Sequence, residues 1–227
     1  MGLEPLPLSA DTRRFYSHGM GHPSADPVGD LAPIRVGEVW ENPVTRERVR
    51  HLELPWQNPD RRSVVELTAL VGSRVVGEHR HPNMVERFTV LQGELTVRLD
   101  GKTSVLGEGQ TAEVRPGHWH DWWNAADVDA LVRSEAFPGE RFMHGAETLF
   151  GLARLGYTND KGTPDLLQMA MFGREFSDVI QLRNPPLQVQ KIIFALLALV
   201  ARPLGYRATY PQLSRTVNAP RDGGPDS

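Results

Sequence analysis

His79-Arg80-His81 places two imidazoles two residues apart. In a β-strand, alternate residues share a face, so both rings can grip one ion. Alone the triplet says little, because it also occurs on ordinary surface strands. Glu86 adds to it: residues 82–85 allow a bend, and a carboxylate heading the next strand, Arg87 to Leu91, can return to the same ion. His120 follows Pro116-Gly117 by a few residues, on a strand distant in sequence. A barrel brings distant strands together, so His120 can reach the ion from the other side. Histidine and carboxylate make a mixed nitrogen and oxygen donor set. Such a set suits one divalent Fe, Mn, Ni, Co, Cu or Zn ion, and ligand type does not choose among them. The chain has no cysteine, which excludes a thiolate metal site and a disulfide framework.

Other residues compete for roles around this set. Trp122 stands two residues after His120 and shares its face, so it is a candidate for the wall of a substrate cavity. Met84 and Phe88 are candidates for the same wall or for the core. His118 stands two before His120 but directly follows the turn glycine, which leaves it an alternative ligand or a supporting group. His51 and His144 read as incidental, and His18 and His22 as solvated histidines of an N-terminal arm.

The elements that must position these residues show in the periodicity. From Ile34 to Ala136 the pattern is strand after strand. Val65, Leu67 and Ala69 alternate with Glu66 and Thr68, and Leu95, Val97 and Leu99 alternate with Thr96 and Arg98. Asp100-Gly101 predicts a two-residue hairpin turn, and Asn42-Pro43, Gly72-Ser73, Gly107 to Gly109 and Pro116-Gly117 mark further turns. Short strands at regular spacing predict a sandwich or barrel. After Pro138 the period becomes helical. Phe142, Ala146, Leu149 and Ala153 share one face, with Gly156 ending that helix. Thr163 as N-cap and Pro164 predict a second helix to Phe176. A third runs from after Asn184-Pro185-Pro186 to Ala201. The expected organisation is an N-terminal arm (1–33), a barrel (34–138), a helical extension (139–216) and a disordered tail (217–227).

The chain of 227 residues carries a formal net charge of -3, which offers no basic surface for nucleic acid or an anionic membrane. The apolar run Ile192 to Ala201 is half the roughly 20 residues a membrane span needs. It reads as a buried helix. Residues 1–10 carry Pro5 and Pro7 and no basic stretch before an apolar core, so they do not read as a secretory signal. The expected location is the cytoplasm.

Together these residues resemble the cupin superfamily. Its first motif is His-x-His, three or four residues, Glu, six residues, Gly; His79, His81, Glu86 and Gly93 satisfy it. Its second motif is matched by Gly109, Pro116, Gly117, His120 and Asn124. The chain departs from the pattern in two turns: the opening Gly comes one place early, at Gly72, and Arg115 stands where Pro is usual. The chain also resembles cupin-domain proteins with a strand-forming Asn-Pro-x-Thr stretch before the barrel, here Asn42 to Thr45, and a helical tail that includes Glu147 to Leu152. The resemblance implies a mainly β, jelly-roll-like double-sheet β-barrel with a C-terminal α-helical extension. It implies one ion in the barrel mouth held by His79, His81, Glu86 and His120. Asn124, the motif Asn, is expected to be structural.

For function, the resemblance spans several reaction types. An octahedral ion with four protein ligands leaves two positions for a chelating substrate or O₂. The leading expectation is a metal-dependent dioxygenase, quercetinase-like, acting on a small and mostly apolar substrate, with Glu86 helping to move a proton. The alternatives are a redox-neutral enzyme resembling polyketide cyclases or isomerases, and a non-catalytic ligand-binding or assembly protein. The helices are expected either to cap the barrel mouth or to bury against a second subunit, with a homodimer favoured.

Overall fold

A computed structural model describes residues 22–23, 32–75, 77–213 and 215. Most of the expected N-terminal arm, including His18, and the expected disordered tail lie outside the described residues. The strands are β1 (Val39–Asn42), β2 (Glu47–Glu53), β3 (Ser63–Ala69), β4 (His79–Arg80), β5 (Val85–Gln92), β6 (Leu95–Leu99), β7 (Lys102–Leu106), β8 (Thr111–Val114), β9 (His120–Trp123), β10 (Ala130–Phe137) and β11 (Gln181–Leu182). The helices are α1 (Glu140–Arg154), α2 (Leu166–Glu175) and α3 (Leu187–Ala201). The strands form a six-stranded sheet in the order β1-β2-β3-β10-β5-β8 and a five-stranded sheet in the order β11-β4-β9-β6-β7. Every named pairing is antiparallel.

Register places the inner face. One row across the larger sheet runs His51, Val65, Ser134, Phe88 and Ala112; the next runs Ser63, Ala136, Glu86 and Val114. Leu67, Phe88, Val90 and Val132 of this sheet pack with Leu95, Val97 and Trp122 of the other to form the main core. Burying each such side chain contributes about 1.5–3 kcal/mol. The hairpin between β6 and β7 turns on Asp100 (φ 48°) and Gly101 (φ 81°), with Leu99 opposite Lys102. Gly93 has a φ of +77°, and a Cβ there would stand 2.9 Å from the Asp129 carbonyl oxygen, so the motif glycine is required by backbone approach. Of the Asn42 to Thr45 stretch, Asn42 ends β1 and Pro43 to Thr45 lie in the turn to β2. The Asn42 side chain accepts from the Val44 and Thr45 N–H groups at 3.1 Å each.

The helical region differs from expectation in three places. The cap of α2 is Asp165, not Thr163: its carboxylate accepts from Leu167 and Gln168 N–H at 2.9 Å each. Thr163 and Pro164 are held outside the helix because Pro164 bridges to Thr158 and the Thr163 carbonyl accepts from Asn159 N–H. Second, β11 lies between α2 and α3 and pairs with β4, setting Gln181 opposite Arg80 and Leu182 opposite His79. Third, α3 is not buried all round. It packs on α2, where a Cβ on Gly173 would stand 2.5 Å from the Phe194 ring, yet Ile192, Leu196 and Leu199 are 61%, 61% and 69% exposed. The end of α1 follows expectation: Gly156 (φ +80°) donates to Ala153 and Tyr157 N–H to Leu152, closing a Schellman motif. Among the described residues no helix is long and apolar enough to cross a membrane.

Candidate metal centre and its cavity

His79 on β4 lies directly opposite His120 on β9. His81 follows β4 by one residue and keeps the face of His79. Glu86, near the start of β5, comes from the other sheet. All four side chains are buried, and one ligand atom from each lies within 4.8 Å of the others. The ring centroids of His79 and His120 are 4.2 Å apart, those of His79 and His81 5.0 Å, and those of His81 and His120 5.1 Å.

The surroundings orient these rings as a metal needs. The Nδ1 of His79 is 2.9 Å from the Gly77 carbonyl, and the Nδ1 of His81 is 2.7 Å from the Val179 carbonyl. A carbonyl only accepts, so both Nδ1 atoms carry a hydrogen and both Nε2 atoms face inward, where an unprotonated Nε2 offers its lone pair to an ion. The His81 Nε2 is then 3.2 Å from Glu86 Oε2, with His120 Nε2 2.9 Å from the same oxygen. A lone pair facing a carboxylate is repulsive unless a proton or cation lies between them. The donor set therefore fits a metal ion. Burial, then the neighbouring His120 and His81, pushes His79 down to about 3, so its ring is neutral at physiological pH. Burial would raise Glu86, but His120 and His81 beside its Oε2 outweigh that and hold it well below the usual carboxylate range. Both are in the protonation state that a metal requires.

The centre borders a cavity of about 160 Å³ between the sheets. Phe88 and Trp122 line it, joined by Phe142 and Leu149 of α1 and Phe172 of α2. The helices α1 and α2 thus cap the cavity. A second cavity of about 360 Å³, walled by α2 and α3, adjoins the first and shares His79, Leu149, Phe172 and Ile180 with it. Met84 is buried but does not line the 160 Å³ cavity. His118 does not join the cluster: it bonds Asp100 at 2.6 Å, half exposed. Asn124 is structural, donating to the Ala69 and Val128 carbonyls at 2.8 and 2.9 Å. His144 packs edge-on against Phe176, and His22 is tied to the Leu204 carbonyl at 2.8 Å.

Two residues that sequence reading passed over stand on the cavity wall: Glu47 and His51 of β2. Their alternation with Val49 was a signal, since positions 47, 49 and 51 share one face. Burial pushes the Glu47 carboxyl up to about 7, against the Thr45 hydroxyl bond that lowers it and with the Glu86 charge that raises it further. A carboxyl whose folded pKa is raised from 4.5 holds more protons folded than unfolded. Stability therefore falls as the pH rises from 4.5 through 7, by at most about 3 kcal/mol. Glu47→Gln removes this dependence. Its melting temperature should gain on wild type across that window; a constant gap would contradict the assignment.

Fold and site together define a double-sheet β-protein with an internal candidate metal centre. Residues 66–133, which hold all four clustered side chains, match the family model of the Cupin domain, and this part of the chain is a cupin domain. Among solved structures, a predicted oxalate decarboxylase from Thermotoga maritima is similar at 21% identity over 40% of this chain and 79% of its own, with a TM-score of 0.38. KdgF from Halomonas sp. is similar at 19% identity over 48% of this chain and 94% of its own, with a TM-score of 0.40. An RmlC-like cupin from Shewanella frigidimarina is similar at 19% identity over 45% and 84%, with a TM-score of 0.39. No curated protein matches the chain.

Proposed function

We propose that this chain is a metal-dependent dioxygenase acting on a small, largely apolar ring compound. The supporting observation is the buried cluster of His79, His81, Glu86 and His120 beside a largely apolar cavity. An apolar cavity of about 150 Å³ holds one benzene ring, so the inner cavity of about 160 Å³ suits a single ring. A three-ring flavonol, as a quercetinase-like reading would have it, needs the adjoining cavity as well. A bound ion supplies Lewis acidity and, if redox-active, a place for O₂. Phe88 and Trp122 hold the ring, while Phe142, Leu149 and Phe172 keep water out. Glu86, already ionised and with one oxygen facing the Nε2 atoms of His81 and His120, serves as ligand rather than base.

Oxygen uptake by iron-, manganese- or nickel-loaded protein, with single-ring catechols and enols, tests this. One O₂ consumed per substrate is expected. Substrate conversion without oxygen uptake would overturn it in favour of the redox-neutral isomerase or cyclase. That second reading has its own support in Glu47, a carboxyl placed near neutrality on the cavity wall and suited to proton transfer.

We also propose a homodimer through α3. Ile192, Leu196 and Leu199 form an exposed stripe at helical spacing, and such a patch marks an interaction surface. Light scattering should give twice the chain mass for wild type and one chain mass for Leu199→Glu. A monomeric wild type would refute it.

A further inference from the structure

Among the described residues, His51 is a buried polar side chain that nothing in the protein satisfies. Its side chain is 2% exposed and lines the 160 Å³ cavity, yet neither ring nitrogen has a hydrogen-bond partner among the described residues. Nearly all buried polar groups are bonded, and an orphan calls for a reason. The ring is oriented by packing instead: Trp40 meets it edge-on at 4.2 Å between centroids, and Trp40 is fixed by its Nε1–H donating to Glu38 at 2.9 Å. Both nitrogens of His51 are therefore unclaimed by the protein, and since each is itself buried, a small turn of the ring is what would present one to a molecule in the cavity. Burial pushes the ring down to about 4, so at neutral pH it offers one N–H donor and one lone pair. It stands in the register row of Val65, Ser134 and Phe88, next to the row that carries Glu86, but three strands away from β5. A ring lying over Phe88 spans from the metal cluster toward β2.

We propose that His51 recognises a second polar group of the ligand, so that the cavity takes a single-ring compound with oxygen at the ion and a hydroxyl or carbonyl on the side facing β2. This rests on the metal-and-cavity reading above and names the ligand class within it. The neutral ring can donate to a carbonyl or exchange hydrogen bonds with a hydroxyl, and a ligand without such a group leaves it orphaned. Sites built to bond a polar group reject analogues that lack it.

Two probes of equal size and equal chelating oxygens separate the cases: 4-(hydroxymethyl)catechol and 4-ethylcatechol, titrated calorimetrically into zinc-loaded protein, in which no redox turnover occurs. Wild type should prefer the hydroxymethyl compound by about tenfold. His51→Phe should lose or reverse that preference, and His51→Gln should restore part of it, with zinc content and melting checked for each. The ¹⁵N shifts of the His51 ring on adding the hydroxymethyl compound read the same contact without any substitution. Equal affinity for both probes in wild type, a preference that survives in His51→Phe, or unmoved ring shifts would overturn the inference and leave the cavity reading intact. Failure of both catechols to bind would overturn that reading and the inference with it.

Discussion

Wild-type protein should bind about one divalent ion per chain and melt higher when loaded, and His120→Ala should abolish both effects. A ligand that binds only the folded state stabilises by about 2.7 kcal/mol when free at 100 times its dissociation constant. In a chain of this size each kcal/mol moves the melting temperature by about 2–4 °C, so loading should raise it by roughly 5–10 °C. His120 is fully buried, sits opposite His79 and contacts the same Glu86 oxygen as His81. Its removal takes away the ligand contributed by β9. The variant will also be less stable without metal, since Glu86 loses a partner. The difference between loaded and unloaded melting cancels that baseline and isolates ion binding. A His79→Ala, His81→Ala double variant should behave alike. Undiminished metal content by elemental analysis in either variant would refute the centre.

Phe88→Ala should cost about 3–5 kcal/mol in urea unfolding, the range for deleting a buried aromatic ring from a core. Phe88 is 1% exposed and belongs to the main core cluster with Leu67, Val90 and Val132, its ring 6.4 Å from that of Trp122. At about 2–4 °C per kcal/mol, the melting temperature should fall by roughly 6–20 °C. Phe88→Leu, which keeps most of the volume, should cost far less. The same ring walls the cavity, so Phe88→Ala should also admit a larger ring at the metal centre. A loss below about 1 kcal/mol would mean that the site collapses and that Phe88 supports neither core nor cavity.

The His79–His81 half of the candidate metal cluster was legible because its cues are local. The pleat puts His79 and His81 on one face within three residues of chain. The spacing from Gly117 to His120 is written in consecutive residues. The β6–β7 hairpin could be read for the same reason, since Asp100 and Gly101 carry their own backbone preference. The end of α1 at Gly156 belongs with them.

What escaped the sequence depended on partners far along the chain. Thr163 has an ordinary cap's chemistry, but its carbonyl is taken by Asn159 and its neighbour Pro164 by Thr158, so the helix begins at Asp165. β11 is two residues long and exists because β4 offers it an edge. The tautomer of His81 is set by a carbonyl at Val179, beyond the expected barrel. Phe142, Leu149 and Phe172 became cavity wall only when α1 and α2 folded over the sheets. His51 is one histidine among eight in the chain until the sheets and helices enclose it. Residue spacing determined that His79 and His81 share a face, because strand geometry is a property of neighbouring residues, and the resemblance to cupins added Glu86 and His120 to them. Burial and long-range contact decided what surrounds them, because those depend on which distant surfaces meet.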